Sequence, residues 1–292
     1  MQMYLKLRVS QNFSQNNYPL YLEKWIIMIT LRSVVKFGDL IMALSNNDIK
    51  KIRSLQQKKF RDESGLFVVE GEKMVQEAVH SPFGVESVYR KEDIGADAMS
   101  RISALSSPSP VLAVVRKPKD SIIDEVSELM PLISKGGLYL ALDAIRDPGN
   151  LGTILRIADW FGIDAVFASK DTVDVFNPKV VQSTMGAIFR VKMHYVDLPK
   201  LFEKVLGLNG KVYGTFLDGQ NMYDREIDCG IQAPSVIVIG NEANGISDQV
   251  AAMVSDRLYI PPYPQDSPGS ESLNAAIATA ITVAEFRRRK SI

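Results

Sequence analysis

A chain of 292 residues with 46% hydrophobic and 23% charged side chains has room for about two domains, and this composition excludes a largely disordered protein. Lys plus Arg and Asp plus Glu balance at 34 each, so net charge neither points to nor rules out a polyanionic partner, and only local clusters carry that information. Cys229 is the only cysteine, which excludes an intrachain disulfide and a multi-cysteine metal site; no metal is expected, and a reducing cytoplasm fits best.

Residues 1–41 carry Asn/Gln-rich polar stretches and scattered aromatics without a sustained period. Met42 then opens a segment that reads as an ordinary protein start, so the preceding residues are expected to be a poorly ordered leader from a mis-assigned start, with an added strand or helix as the alternative. The apolar run Trp25 to Leu31 is far short of the roughly 20 residues of a membrane-spanning helix and lacks a signal-peptide cleavage site. A soluble protein with no membrane partner is the expectation.

From Ser45 the pattern is regular. Ser45 with Asp48 three positions on predicts a capped helix, in which Ile49, Ile52 and Leu55 recur at helical spacing. The polar side there is basic, and Lys50, Lys51, Arg53, Lys58, Lys59 and Arg61 are candidate RNA-binding residues; a solvated helix face is an equally good reading of the cluster alone. Leu66 to Val69 reads as a strand, Gly71 to Val79 as a helix with Met74, Val75, Ala78 and Val79 inward, and Val85 to Tyr89 and Val111 to Val115 as further strands. A small α/β domain is therefore placed at 42–116. Residues 117–135, with one helix predicted at Ile122 to Met130 between Pro and Gly breakers, read as a linker.

Beyond it, at 136–292, strands and helices alternate. Leu138 to Leu142, Ala165 to Ala168, Lys211 to Leu217 and Val236 to Ile239 are apolar runs of buried-strand type, separated by helical stretches that include Leu151 to Trp160 and Leu198 to Leu206. The pattern is that of a doubly wound α/β domain with a mainly parallel sheet.

Three blocks in this half place Gly, Asn, Ser or Pro where an apolar strand ends and a helix should begin, the place where open α/β sheets build their sites. The first is Asp143-Ala-Ile-Arg-Asp-Pro-Gly-Asn-Leu-Gly-Thr-Ile-Leu-Arg156. It contains neither G-x-G-x-x-G nor a phosphate loop, which argues against a standard dinucleotide or ATP enzyme. Pro148, Gly149 and Asn150 read as a turn, with Asn150 a candidate N-cap for the helix that presents Arg156. The second, Ile239-Gly-Asn-Glu-Ala-Asn-Gly-Ile-Ser247, lets backbone amides approach a ligand around Glu242, with Ser247 as the expected cap of the next helix. The third joins Ile260-Pro-Pro to Ser270-Glu-Ser-Leu-Asn-Ala-Ala-Ile277 and leads into an Ala-rich helix over 275–288, where Ser272 or Asn274 either bonds a ligand or caps the helix. Arg287-Arg-Arg-Lys290, two residues before the last, is a second basic cluster read evenly as a tail or an anion site.

Taken together and in this order, the three blocks resemble the SpoU family of RNA ribose methyltransferases in the SPOUT superfamily. Ser45 to Val79, with Phe67-Val-Val-Glu-Gly-Glu72, looks like the substrate-binding domain of the same enzymes, itself related to small ribosomal RNA-binding proteins. The resemblance implies a carboxy-terminal trefoil knot, S-adenosylmethionine bound within it, and a homodimer with the active site at the subunit interface. It implies cofactor contacts at Gly240, Asn241, Gly245, Ile260 and Leu273, and a catalytic centre drawn from Asn150, Arg156, Glu242, Ser272 and Asn274. The loop at 263–270 is longer than in many relatives.

The expected reaction is methylation of a ribose 2′-hydroxyl, with 23S ribosomal RNA ahead of transfer RNA; the rival class is a non-catalytic RNA-binding or ribosome-assembly factor. His80 and His194 lie outside all three blocks, so the usual neutral-pH base is missing. Deprotonating an arginine at pH 7 costs roughly 7 kcal/mol. Arg156 is therefore expected to hold the phosphate beside the target ribose, with Glu242 or water taking the proton.

Overall fold

The structure, a computed structural model, describes residues 44–119, 125–264 and 272–290; the expected leader, the start of the helix predicted at 122–130 and most of the 263–270 loop lie outside them. Helices α1 (Asn46–Ser54) and α2 (Lys58–Ser64) precede strand β1 (Leu66–Glu70), followed by α3 (Glu72–His80), β2 (Val85–Arg90), α4 (Lys91–Ile102) and β3 (Val111–Arg116). The strands form an antiparallel sheet in the order β1-β3-β2. Ser45 caps α1 as the sequence predicts, accepting the Asp48 amide at 3.1 Å and donating to its carboxylate at 2.6 Å.

Strand alternation decides what each face of this sheet meets. Val68, Leu112 and Val114 pack under Ile49, Ile52 and Leu55 of α1 and Ile94, Met99 and Ile102 of α4. Phe67, Val69, Val111, Ala113 and Val115 point the other way and join a core that runs into the second half of the chain.

There α5 (Met130–Ile133) leads to β4 (Gly137–Leu142), α6 (Pro148–Trp160), β5 (Ala165–Ala168), α7 (Pro178–Ser183), β6 (Met193–Tyr195), α8 (Leu198–Gly207), β7 (Lys211–Asn221), β8 (Pro234–Ile239), α9 (Asp248–Ala251), β9 (Asp256–Tyr259) and α10 (Ala275–Lys290). The six-stranded sheet has the order β6-β5-β4-β8-β7-β9, every pair parallel. Leu138, Leu140 and Leu142 of β4 face α6 and α10, while Tyr139 and Ala141 face Leu201, Phe202 and Val205 of α8. Both faces are covered, which explains the near-continuous apolar runs. The chain runs outward from β4 to β5 and β6 on one side, then returns to lay β8, β7 and β9 on the other. The switch point is therefore the crevice between the carboxyl ends of β4 and β8.

The two sheets are locked together. Phe67 packs against Phe176 with rings tilted by 49° and centroids 4.9 Å apart, and Phe83 meets Phe189 edge-on at 5.2 Å. Arg190 bonds Glu77 of α3 and both oxygens of Asp159 on α6. Arg61, expected to bind RNA, is only 1% exposed. Its guanidinium bonds Asp174 at 2.6 and 3.1 Å and the Leu55 and Gln56 carbonyls at 2.9 Å each, so it is not available to a phosphate. The cluster reading fails at this position because Arg61 lies on the buried side of α2, facing an acid 113 residues away.

The carboxy-terminal basic run is structural as well. Arg287 donates to the Phe161 carbonyl at 2.8 Å and to Gly162, at the carboxyl end of α6, where a cation is favoured. Arg289 holds the carbonyls of Met222, Tyr223 and Arg225. Arg288, with Arg289, holds the Glu285 carboxyl down at about 2, against the usual 4.5. Because the folded value is the lower one, this contribution to stability is present above pH 4.5 and lost as pH falls toward 2. The Tm gap between wild type and Glu285→Gln is expected to be open at pH 7 and to close on acidification below pH 4.5, as thermal melts across that range will read.

Candidate active site

The first block begins where β4 ends. Asp143, buried among backbone groups, accepts the Ser247 amide at 2.7 Å, and its own amide donates to Ile239 at 2.9 Å, so the loops after β4 and β8 are tied at the switch point. Ala144 adopts the left-handed region at φ 56°, and its carbonyl takes Asn241 Nδ2 at 2.7 Å. Helix α6 starts earlier than the sequence suggests. Pro148 sits in its first turn, where a missing amide costs nothing, and the cap is Asp147, which accepts the Asn150 amide at 2.8 Å. Asn150 is thus inside the first turn rather than at the cap, which frees its side chain.

That side chain joins the three blocks. Asn150 Nδ2 donates to Glu242 at 2.9 Å, and Asn274 Nδ2 donates to Asn150 Oδ1 at 2.8 Å. The carboxylate can only accept, so the Asn150 amide has one workable orientation. Glu242 also takes the Asp147 amide at 3.3 Å and the Arg146 amide at 3.4 Å. Partial burial pushes its pKa upward, but the bonds from Asn150 and from the amides of Glu242, Arg146 and Asp147 prevail, and the net shift is downward. Glu242 is therefore an ionised anchor whose oxygens are already engaged, and a weak proton acceptor.

Asn274 in turn accepts the Ala276 and Ile277 amides at 2.9 and 3.2 Å and so caps α10 while reaching Asn150. In the second block, Asn241 and Gly245 exchange backbone bonds at 2.8 and 2.9 Å, and Asn241 Oδ1 takes the amides of Ala243 and Asn244, both at 3.0 Å. A Cβ on Gly240 would come within 2.3 Å of the Gly245 and Ile246 backbone, so the turn closes only over glycine. Ser247 occupies the cap position of α9, but its side chain makes no capping bond.

Not every candidate joins the cluster. Ile260 is half-buried against the core, Leu273 is 48% exposed, and Ser272 is exposed beside it. Arg156 is exposed and has no ion pair or hydrogen bond among the described residues. Six residues after Asn150 on one helix, it points about 120° away and about 9 Å further along the axis. On α1 and α2, Lys50, Lys51 and Arg53 are exposed, while Lys58 pairs with Asp62 at 2.5 Å and Lys59 approaches Glu63 at 3.9 Å. Asp143 and Asp147 were missed as site builders; the S/T/D/N-Pro signal at a helix start could have identified Asp147. Among the described residues no helix is long and apolar enough to cross a membrane.

The profile of the SpoU rRNA Methylase family matches residues 137–284, and that of an MRM3-like substrate binding domain matches residues 46–127. The Bacillus subtilis (strain 168) protein named 23S rRNA (guanosine(2553)-2'-O)-methyltransferase RlmP is 31% identical over 263 residues, covering 85% of this chain and 98% of that protein. A TrmH-family protein structure from Porphyromonas gingivalis matches with a TM-score of 0.72 and 38% identity, covering 85% of this chain and 100% of that one. An AdoMet-bound rRNA methyltransferase from Sinorhizobium meliloti matches with a TM-score of 0.71 and 29% identity, covering 85% and 96%.

Proposed function

The chain belongs to the SpoU rRNA methylase family, and from this we propose that it transfers a methyl group from S-adenosylmethionine to a ribose 2′-hydroxyl of 23S ribosomal RNA. The observation that carries the reading is the hydrogen-bonded chain Glu242–Asn150–Asn274, which gathers three distant blocks at the sheet's switch point. The turn at Gly240, Asn241 and Gly245 with the apolar Ile260 and Leu273 forms the cofactor cradle, a set suited to an adenosyl group bound through backbone and apolar contacts. When bound, the cofactor supplies a methyl carbon on a sulfonium cation. Glu242, held ionised and with no cationic side chain paired to it among the described residues, gives that site a negative charge. The chain's own residues then act by placement, which supplies much of the rate in displacement at carbon.

The reading extends to a knotted carboxy-terminal segment and to a homodimer. Arg156 faces away from its own cluster, on the surface that also exposes Trp160, 85% accessible, one turn further along α6. In a two-fold dimer that surface carries Arg156 to the partner's site. There the guanidinium holds the phosphate beside the target ribose and lowers the hydroxyl pKa, so that the hydroxyl proton can pass to water. The exposed Lys50, Lys51 and Arg53 hold more distant phosphates.

The test uses ribosomal RNA from cells lacking the protein and labelled S-adenosylmethionine, with 2′-O-methylation mapped on the product. Arg156→Ala and Asn274→Ala homodimers are each expected to be nearly inactive. Co-expressed in equal amounts, they should recover about a quarter of wild-type activity, because half the dimers then carry one intact composite site. No recovery would place Arg156 in its own subunit's site or outside catalysis.

A further inference from the structure

A cavity of about 450 Å³ lies between the two sheets' domains, within the roughly 300–1,000 Å³ range of small-ligand sites. One wall is the edge strand β1 with the residues after α4; the other is the first turn of α6 and the helix α7. None of the residues of the second and third blocks lines it, so it is separate from the proposed cofactor cradle. It nevertheless shares the Asp147–Gly149 turn that positions Asn150. Next to these walls in the chain, the Arg61–Asp174 pair and the Phe67–Phe176 contact tie α2 and β1 to the segment that leads into α7.

Its lining has three kinds of group. Leu105 and the rings of Pro148 and Pro178, all half-buried, give apolar surface over the buried Val68 and Val181. Glu70, 5% exposed and held by Ser103 Oγ and the Ala104 amide at 2.5 and 2.7 Å, is an acceptor fixed in place. Lys179 and Gln182 have no side-chain partner among the described residues, Lys179 at the exposed rim and Gln182 half-buried. Sequence-specific RNA recognition works on unstacked bases held between flat surfaces with hydrogen bonds at their edges and a cation on the phosphate. Resting on the RNA methyltransferase reading, we propose that this interdomain cleft seats one unstacked nucleotide of the RNA substrate. Its base lies between the apolar walls, with Glu70 accepting from a base N–H and Gln182 bonding the base edge. Its phosphate is drawn to Lys179.

The test is methylation of ribosomal RNA from cells lacking the protein by the full chain and two variants. Gln182→Trp, which fills the cleft, is expected to lower kcat/KM for RNA by about tenfold or more. Lys179→Glu is expected to raise KM for RNA and to reduce the salt dependence of RNA binding by about one phosphate contact. Both should keep wild-type S-adenosylmethionine affinity by calorimetry and wild-type Tm. Wild-type methylation by both variants overturns the nucleotide seat while leaving the enzyme reading intact. A wild-type protein that binds no S-adenosylmethionine overturns the enzyme reading, and the seat with it. Because Lys179 is exposed, its variant reports even if Gln182→Trp fails to fold.

Discussion

Glu242→Gln is expected to lower methyl transfer by about 100- to 1,000-fold with little change in stability. The carboxylate receives only donors: Asn150 Nδ2 and the amides of Arg146, Asp147 and Glu242 itself. A glutamine offers one oxygen and turns an NH2 toward at least one of those donors, so a bond is replaced by a clash of like partners. Asn150 then rotates, and Asn274, whose Nδ2 it holds at 2.8 Å, loses its registration with the first block. The side chain is exposed, so global unfolding should shift by no more than about 1 kcal/mol. Single-turnover rates and melting curves separate the two effects. Activity within about threefold of wild type would show that the three blocks hold their geometry without this anchor.

Arg61→Ala is expected to cost about 3 kcal/mol of stability, because it leaves the largely enclosed Asp174 carboxylate with only the Phe176 amide and removes the donor to two backbone carbonyls. Arg61→Met combined with Asp174→Leu should recover most of that loss, since replacing both members of a buried pair by apolar groups is often near neutral. Urea unfolding read as a shift in midpoint is the measurement. A loss under about 1 kcal/mol for Arg61→Ala would mean that water enters and solvates the acid.

Much of this architecture is legible in the chain. Ile49, Ile52 and Leu55 at helical spacing, and the uninterrupted Leu138 to Leu142 run, name their own burial because period and partner lie within one element. The three blocks are legible as turns at strand ends, and their convergence follows from the resemblance. What escapes is whatever depends on a distant partner. Arg61 looks like its lysine neighbours until Asp174 is folded against it. The run at Arg287 looks like a solvated tail until the end of α6 supplies carbonyls. In the sequence Pro148 fits a turn and the first helical position equally well, and only the Asp147 cap decides between them. Helices α4 and α7 and the three-residue β6 lack a pattern strong enough to stand out. Arg156 keeps its role open because its direction depends on a helix phase that the spacing alone does not convert into an owner for the site.

Among the described residues, the apolar core shared by the two sheets is pinned by Arg61 on one side and Arg190 on the other. Such a body works as a template. For the proposed nucleotide seat, adaptation then falls on the RNA, and targets that unstack at little cost are expected to be favoured.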